Sequence, residues 1–281
     1  MASLFNTLNI GYSGLTTAQA GVSTTSHNIA NAESEGYTRQ RIVAASAVPV
    51  TSIAGQVGNG VEIQDIQRIF DNFVFDRYTT LSSDKEYSDF TKSTLEELST
   101  YFPEIDEVGI KSDLKEYYNM WQSFSDNPDN DAIKLALAKQ TETLTQSISN
   151  TQDRILSLQS TVNSQLEVNI REVNLLAKEL ADINVSIEVA EAGEGFTAND
   201  LRDKRNVIER TLSRLIGADV TGGVVTANML VDSNSNTKTG NYSVSINGFS
   251  LVDGGNYHPI TISNEKNSAG FYEVFSERQD G

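Results

Sequence analysis

The chain has 281 residues, with 38 acidic against 21 basic side chains, a net charge of -17 and no cysteine. That acidity disfavours nucleic acid or an anionic membrane surface as a partner, since both attract basic patches; the missing thiols exclude disulfides and zinc–thiolate sites. No stretch approaches the 18 consecutive apolar residues of a membrane span, and the start of the chain lacks the basic and apolar regions of a cleaved secretory signal.

From Met1 to Ala32 there is no Asp, Glu, Lys or Arg, and Glu33 is the first charge. Within this stretch Leu4, Leu8, Gly11, Leu15, Ala18, Val22, Thr25 and Ile29 recur at alternating steps of four and three, the interval that keeps one side of a helix against a partner helix. The seam is thin. Gly11, Gly14 and Gly21 each lower helix propensity by about 1 kcal/mol relative to Ala. An uncharged helix of this kind is expected to bury its faces between copies of itself or close relatives, and residues 1–32 to take their order from another copy. The alternative is an ordinary amphipathic helix lying on its own domain.

Gly36 marks a turn. The alternating runs 37–43 and 61–66, joined by a connection over 49–60, then read as a β-hairpin with a long loop. From Ile69 the period turns helical. Helices are expected over Ile69–Phe102, closed by Pro103, and over Ser112–Phe124, with Asp129–Asp131 as capping candidates for the next. Between Asp131 and Gly193 lie 61 residues without Gly or Pro, about 90 Å of helix at 1.5 Å per residue. The apolar seam there runs Leu144, Ile148, Thr151, Ile155, Leu158, Val162, Leu166, Asn169, Val173, Leu176, Leu180, Ile183, Ile187 and Ala190, with a stutter at Leu158–Leu166 and with Thr151 and Asn169 as polar register-setting members. Ile69–Phe102 is the expected antiparallel partner. A last helix spans Asn199–Ile216, after which glycines and short alternating runs such as 242–246 begin an antiparallel β segment that reads as cut short. The fold class is therefore mainly α with β. The expected divisions are 1–32 (seam helix), 33–68 (turn and hairpin), 69–217 (elongated coiled-coil-like helical domain) and 218–281 (incomplete β domain).

Chemistry is sparse. His27 has no carboxylate within a helical turn and His258 precedes Pro259, so neither supports a nucleophile–base arrangement. Asp232, Asn234 and Asn236 match the opening of a calcium loop, but Thr237 stands where Gly is needed and Ser243 where a bidentate Glu is needed. The Asp126–Asp131 run fails at Pro128, and Gly193-Glu194-Gly195 lacks the third glycine and preceding strand of a dinucleotide site. No catalytic residue, metal or cofactor is expected.

Ser26-His27-Asn28-Ile29-Ala30-Asn31-Ala32, followed by Gly36-Tyr37-Thr38-Arg39-Gln40, resembles the N-terminal signature of the bacterial flagellar axial proteins, the rod, hook and hook-associated group. Three further stretches are similar to the hook-associated proteins of the hook–filament junction: Gly58–Asp71, Trp121–Pro128 and Asn199–Asn206. Ser34-Glu35 departs from the Thr-Pro usual before Gly36. The resemblance implies a structural component that joins hook to filament and self-assembles through its terminal helix. The residues expected at the assembly interface are Leu4, Leu8, Leu15, Ala18, Val22, Ile29, Asn28, Asn31, Gly36, Tyr37 and Arg39. Implied partners are copies of the chain, the hook protein, the next hook-associated protein and an export chaperone. The implied location is extracellular, reached without a cleaved signal. Another hook- or rod-type axial protein, or an exported binding module acting through the β segment, is the alternative.

Overall fold

A computed structural model of the chain describes residues 2–52, 55–102, 109–192, 197–222 and 242–276. The chain opens with helix α1 (Ala2–Ala30), followed by strands β1 (Gln40–Ser46), β2 (Val50–Ser52), β3 (Gly55–Val57) and β4 (Val61–Arg68). Helices α2 (Asn72–Thr100), α3 (Ile110–Asp126), α4 (Asp131–Ala190) and α5 (Asn199–Ile216) come next. Short strands complete it: β5 (Asp219–Thr221), β6 (Ser243–Ile246), β7 (Phe249–Asp253), β8 (Asn256–Tyr257), β9 (Ile260–Ile262) and β10 (Val274–Ser276). The protein is mainly α with small antiparallel sheets.

The expected hairpin is β1 against β4, with a bulge between Val43 and Ala44, and its long loop carries the smaller β2–β3 hairpin. Strands β5 to β8 form a four-stranded sheet in sequence order, and β9 pairs with β10. The calcium-loop-like positions Asp232, Asn234, Asn236 and Thr237, and Gly193-Glu194-Gly195, lie outside the described residues.

The chain divides into two compact units. The first holds residues 1–84, 172–260 and 276–281, the second 85–171 and 261–275. The boundaries expected at 32/33, 68/69 and 217/218 all fall inside the first. Its core combines Val173, Ala177, Leu180 and Ile187 of α4 with Ile208 and Leu212 of α5, with Val244, Leu251 and Val252 of the sheet, and with Tyr242 just before β6. Helix α5 stops at Gly217, whose left-handed backbone lets its N–H reach the carbonyl of Ser213. In the second unit Leu144, Leu158 and Ile170 are buried, whereas α3 buries no residue and shows Tyr118 and Trp121 to solvent.

On α4 the expected seam is buried at Leu144, Leu158, Val173, Leu180, Ile183 and Ile187, and elsewhere the buried line departs from it. Ile148 and Ile155 are exposed, and from residue 163 on the buried positions are Asn163, Ile170, Val173, Ala177, Leu180, Ala181, Ile183, Asn184 and Ile187. The line keeps the three-and-four spacing but is turned by one residue at every second step. What turns it is the β part. Asn163 donates to the Gly270 carbonyl (2.9 Å) and accepts from the Tyr272 N–H (3.2 Å). Asn174 exchanges a pair of 2.8 Å hydrogen bonds with the backbone of Ile260, and Asn184 donates to the Gly254 carbonyl at 2.7 Å. Asparagines bonded to the β part, two of them buried, thus take the polar seam role read into Thr151 and Asn169; the latter is half-buried and accepts from Gln165 on its own helix.

Candidate functional site

Helix α1 presents its apolar seam to solvent. Leu4, Leu8, Leu15, Val22 and Ile29 are 76, 69, 58, 69 and 72 % exposed, and Ala18 is exposed between them. Its buried residue is Thr24, on the opposite, polar face. That face is where the chain holds the helix. Asn6 donates to the Gly58 carbonyl (3.5 Å), Asn9 to the Asn59 side chain (3.3 Å), and the Ser13 hydroxyl accepts from the Val61 N–H (3.2 Å). Gly60 lets the two backbones close: its φ is +97°, and a Cβ there would lie 2.2 Å from Ser13 Oγ. The helix thus lies on its own chain, but by its polar face and not by the apolar seam that the amphipathic alternative would bury.

At the other end, Asn28 acts like a neighbouring strand for Gln40. Its Nδ2 donates to the Gln40 carbonyl (2.9 Å), and its Oδ1 accepts from the Gln40 N–H (2.8 Å) and the Tyr37 hydroxyl (2.7 Å). The Tyr37 ring meets His27 edge to face, centroids 5.4 Å apart. Burial, and then the nearby Asp200 and Asp203 carboxylates, raise the Tyr37 pKa, which keeps the hydroxyl a donor.

Helix α5 closes on this turn. Asp203 accepts from the Thr38 N–H (2.9 Å) through one oxygen and from Arg68 Nη1 (2.7 Å) through the other, and both charged side chains are more than nine-tenths buried. Gln40 donates to Asp200 (3.0 Å), Asn199 to the Ile66 carbonyl (2.5 Å), and Arg210 pairs with Glu35. Asp200 also lies 3.5 Å from His27 Nε2, a carboxylate that only the tertiary fold supplies. Gly36, with φ at +77°, sits so close to α5 that a Cβ would be 2.1 Å from Val207 Cγ2. Further along α5, Arg202 grips Glu191, in the turn just after α4, with two 2.7 Å bonds, and Glu209 accepts from the Tyr242 hydroxyl at 2.7 Å beside Arg205. Burial pushes the Glu209 carboxyl up and the Tyr242 hydroxyl well up.

The eleven sequence-selected residues therefore fall into two places. The six seam residues lie on the exposed face. Asn28, Gly36 and Tyr37 are used inside the chain to hold the turn, and Asn31 bonds back to His27 and Ser34. Arg39 is exposed, and its carbonyl accepts from the Ile69 N–H. Sequence reasoning missed Ser13, Arg68, Asp200 and Asp203. The available signal was charge density on α5, where Arg202, Asp203, Arg205 and Glu209 are all buried although a surface reading was the default. Among the described residues no group of His, Asp or Glu is arranged to hold a metal ion, and no helix is long and apolar enough to cross a membrane.

Residues 95–280 match the family described as the flagellar hook-associated protein FlgK helical domain, and residues 8–38 match that of the flagella basal body rod protein. Flagellar hook-associated protein 1 of Bacillus subtilis is 29 % identical over 227 residues, covering 78 % of this chain and 45 % of its own length. The protein of the same name from Escherichia coli is 27 % identical, covering 90 % and 44 %. The chain thus spans less than half the length of these curated relatives. The flagellar hook junction protein FlgK from Burkholderia pseudomallei shares the fold, with a TM-score of 0.56 and 21 % identity over 72 % of this chain and 32 % of that one. Of the two stretches that meet at the turn, 199–206 and residues 26–38 of the other fall one in each matched region, and with more than half of its residues covered by the helical-domain match, the chain belongs to the flagellar hook-associated protein FlgK helical domain family.

Proposed function

We propose that this chain is a structural subunit that joins hook to filament in the bacterial flagellum, and that α1 is its assembly element. The observation that carries the reading is the division of α1 into a polar face held by the chain and an apolar seam left 58–76 % exposed. Five large apolar side chains in one line are expensive to leave in water, at about 25 cal/mol for each Å² that a partner would cover. The occupant is the same seam on neighbouring copies, with the hook protein on one side and the next hook-associated protein on the other. The names of the relatives support the location. The subunit works without catalysis, and it leaves the cell through the flagellar export route without a cleaved signal, accompanied by a chaperone that shields apolar surface.

Leu15→Asp and Val22→Asp test this. Each would place a carboxylate in the closed interface, desolvated at a cost of several kcal/mol unless protonated. Both side chains face solvent in the monomer, so the thermal midpoint of the purified protein should stay within about 2 °C while binding to hook ends is lost. Normal binding would reject the seam as the assembly surface. A clear fall in monomer melting would return α1 to the core of its own unit.

A further inference from the structure

Every Leu, Ile, Val, Phe and Tyr of α1 from Leu4 onward is exposed, so apolar burial on its own chain does little to set the direction of this helix. Hydrophobic contact is in any case non-directional, whereas hydrogen bonds fix geometry. The polar pins lie in two groups: Asn6, Asn9 and Ser13 on residues 58–61, and Asn28 on the turn at Tyr37 and Gln40. Both groups hold α1 to the hairpin and its turn; the direct contact of α1 with α5, His27 at 3.5 Å from Asp200, is solvent-exposed on both sides. What ties hairpin and turn to the core of the unit is α5, with Thr197 just before it donating to Asp65 of β4, and the buried acid of that tie is Asp203. One carboxylate oxygen holds the turn through the Thr38 N–H, and the other holds the end of β4 through Arg68, both out of water. Asp200 and Asn199 add contacts beside it, and Arg210 reaches Glu35 from the exposed side.

We propose that Asp203 is the positioning residue that aims the exposed seam of α1, so that subunits present their seams at the angle at which neighbours close. The proposal rests on the assembly reading of α1. It gives the buried acid of α5 a role in assembly although it touches no other subunit.

The test uses full-length protein and isolated hooks. Asp203→Ala, with Asp203→Asn as the isosteric variant should the first fail to fold, is compared with Leu15→Asp for helical content, for protease protection of residues 26–40 and for binding to hook ends. Removing one member of a buried pair should raise cleavage of the 26–40 turn on the order of 100-fold, with helical content retained and hook binding lost. Since the chain has no cysteine, Glu35→Cys with Arg210→Cys can then be bridged by a short bis-maleimide, fastening the turn to α5 by another bond. Recovery of hook binding by the bridged Asp203 variant is the expected result. Loss of binding that the bridge does not recover overturns the proposal, because Asp203 then acts otherwise than by aiming α1. Native binding by a folded Asp203 variant overturns it as well. If Leu15→Asp also binds normally, the assembly reading falls with it; if Leu15→Asp fails to bind, only the positioning role falls.

Discussion

At the scale of single residues, position around a helix decides what a side chain is worth. Leu180 on α4 is fully buried, and Leu175, five residues earlier on the same helix, is 70 % exposed. Leu180→Ala should lower unfolding free energy by about 2–5 kcal/mol, and Leu175→Ala by less than about 0.5 kcal/mol, in urea titrations of the purified protein. The buried charges make a second prediction. Burial acts to raise the Glu191 pKa, but the two bonds from Arg202 and one from the Ala198 N–H outweigh it, and the net shift is downward. A depressed carboxylate contributes stability that is whole above its unfolded pKa, about 4.3, and lost as pH falls through the lower folded value. The gap in thermal midpoint between the native protein and Glu191→Gln should therefore be constant from neutral pH to about 5.5 and narrow in acid. None of this pairing was legible in the sequence. Arg202 and Glu191 stand eleven residues apart, across a break between helices, and charged residues are by default placed in solvent.

Elements were the most legible scale. Helix α5 was expected at its observed residues, and α2, α3 and α4 within two or three of theirs, because uninterrupted periodicity and the placing of Gly and Pro leave little choice. Orientation was less legible. On α4 the three-and-four spacing was correct and Leu144, Leu158, Val173, Leu180, Ile183 and Ile187 are buried as expected, while between them the line shifts by one residue to Ile170, Ala177 and Asn184, because asparagines gripping backbone of the β part help set which side faces inward. On α1 the seam was visible, yet the polar face that fastens the helix was not, since Ser13 and Asn28 look like solvated surface until a backbone is laid across them. The glycines of α1 add a prediction at this scale. A Cβ at Gly14 would meet nothing within 4 Å, so Gly14→Ala should stabilise the monomer by up to about 1 kcal/mol through helix propensity alone, measured by thermal melting.

For the whole molecule, the signature stretches 26–40 and 199–206 were each recognisable, but nothing in their local pattern said that they meet. More than 150 residues separate them, and the contacts are hydrogen bonds of residues common on surfaces. That meeting decides how the chain can be cut. A fragment of residues 69–217 keeps α5 but strips Asp203 of Thr38 and Arg68, and Glu209 of Tyr242. Without residues 1–68 and 218–281, α5 loses these bonds and the residues that cover it. The fragment should retain helical circular dichroism from α2, α3 and α4, with α5 exchanging its amide hydrogens much faster than in the intact chain.

The asparagine clamps of α4 also set an order of events. Asn163, Asn174 and Asn184 grip backbone 107, 86 and 70 residues further along the chain. Helices form from local contacts within about a microsecond, whereas contacts this distant must first close a long loop. Until α4 is wound, its three amides do not share a face, and the carbonyls of Gly254, Ile260 and Gly270 have no helix to accept from. The helix is in this sense the template and the late strands the casting: as the chain folds, residues 242–276 take their places last, on a surface that the earlier part of the chain has already made.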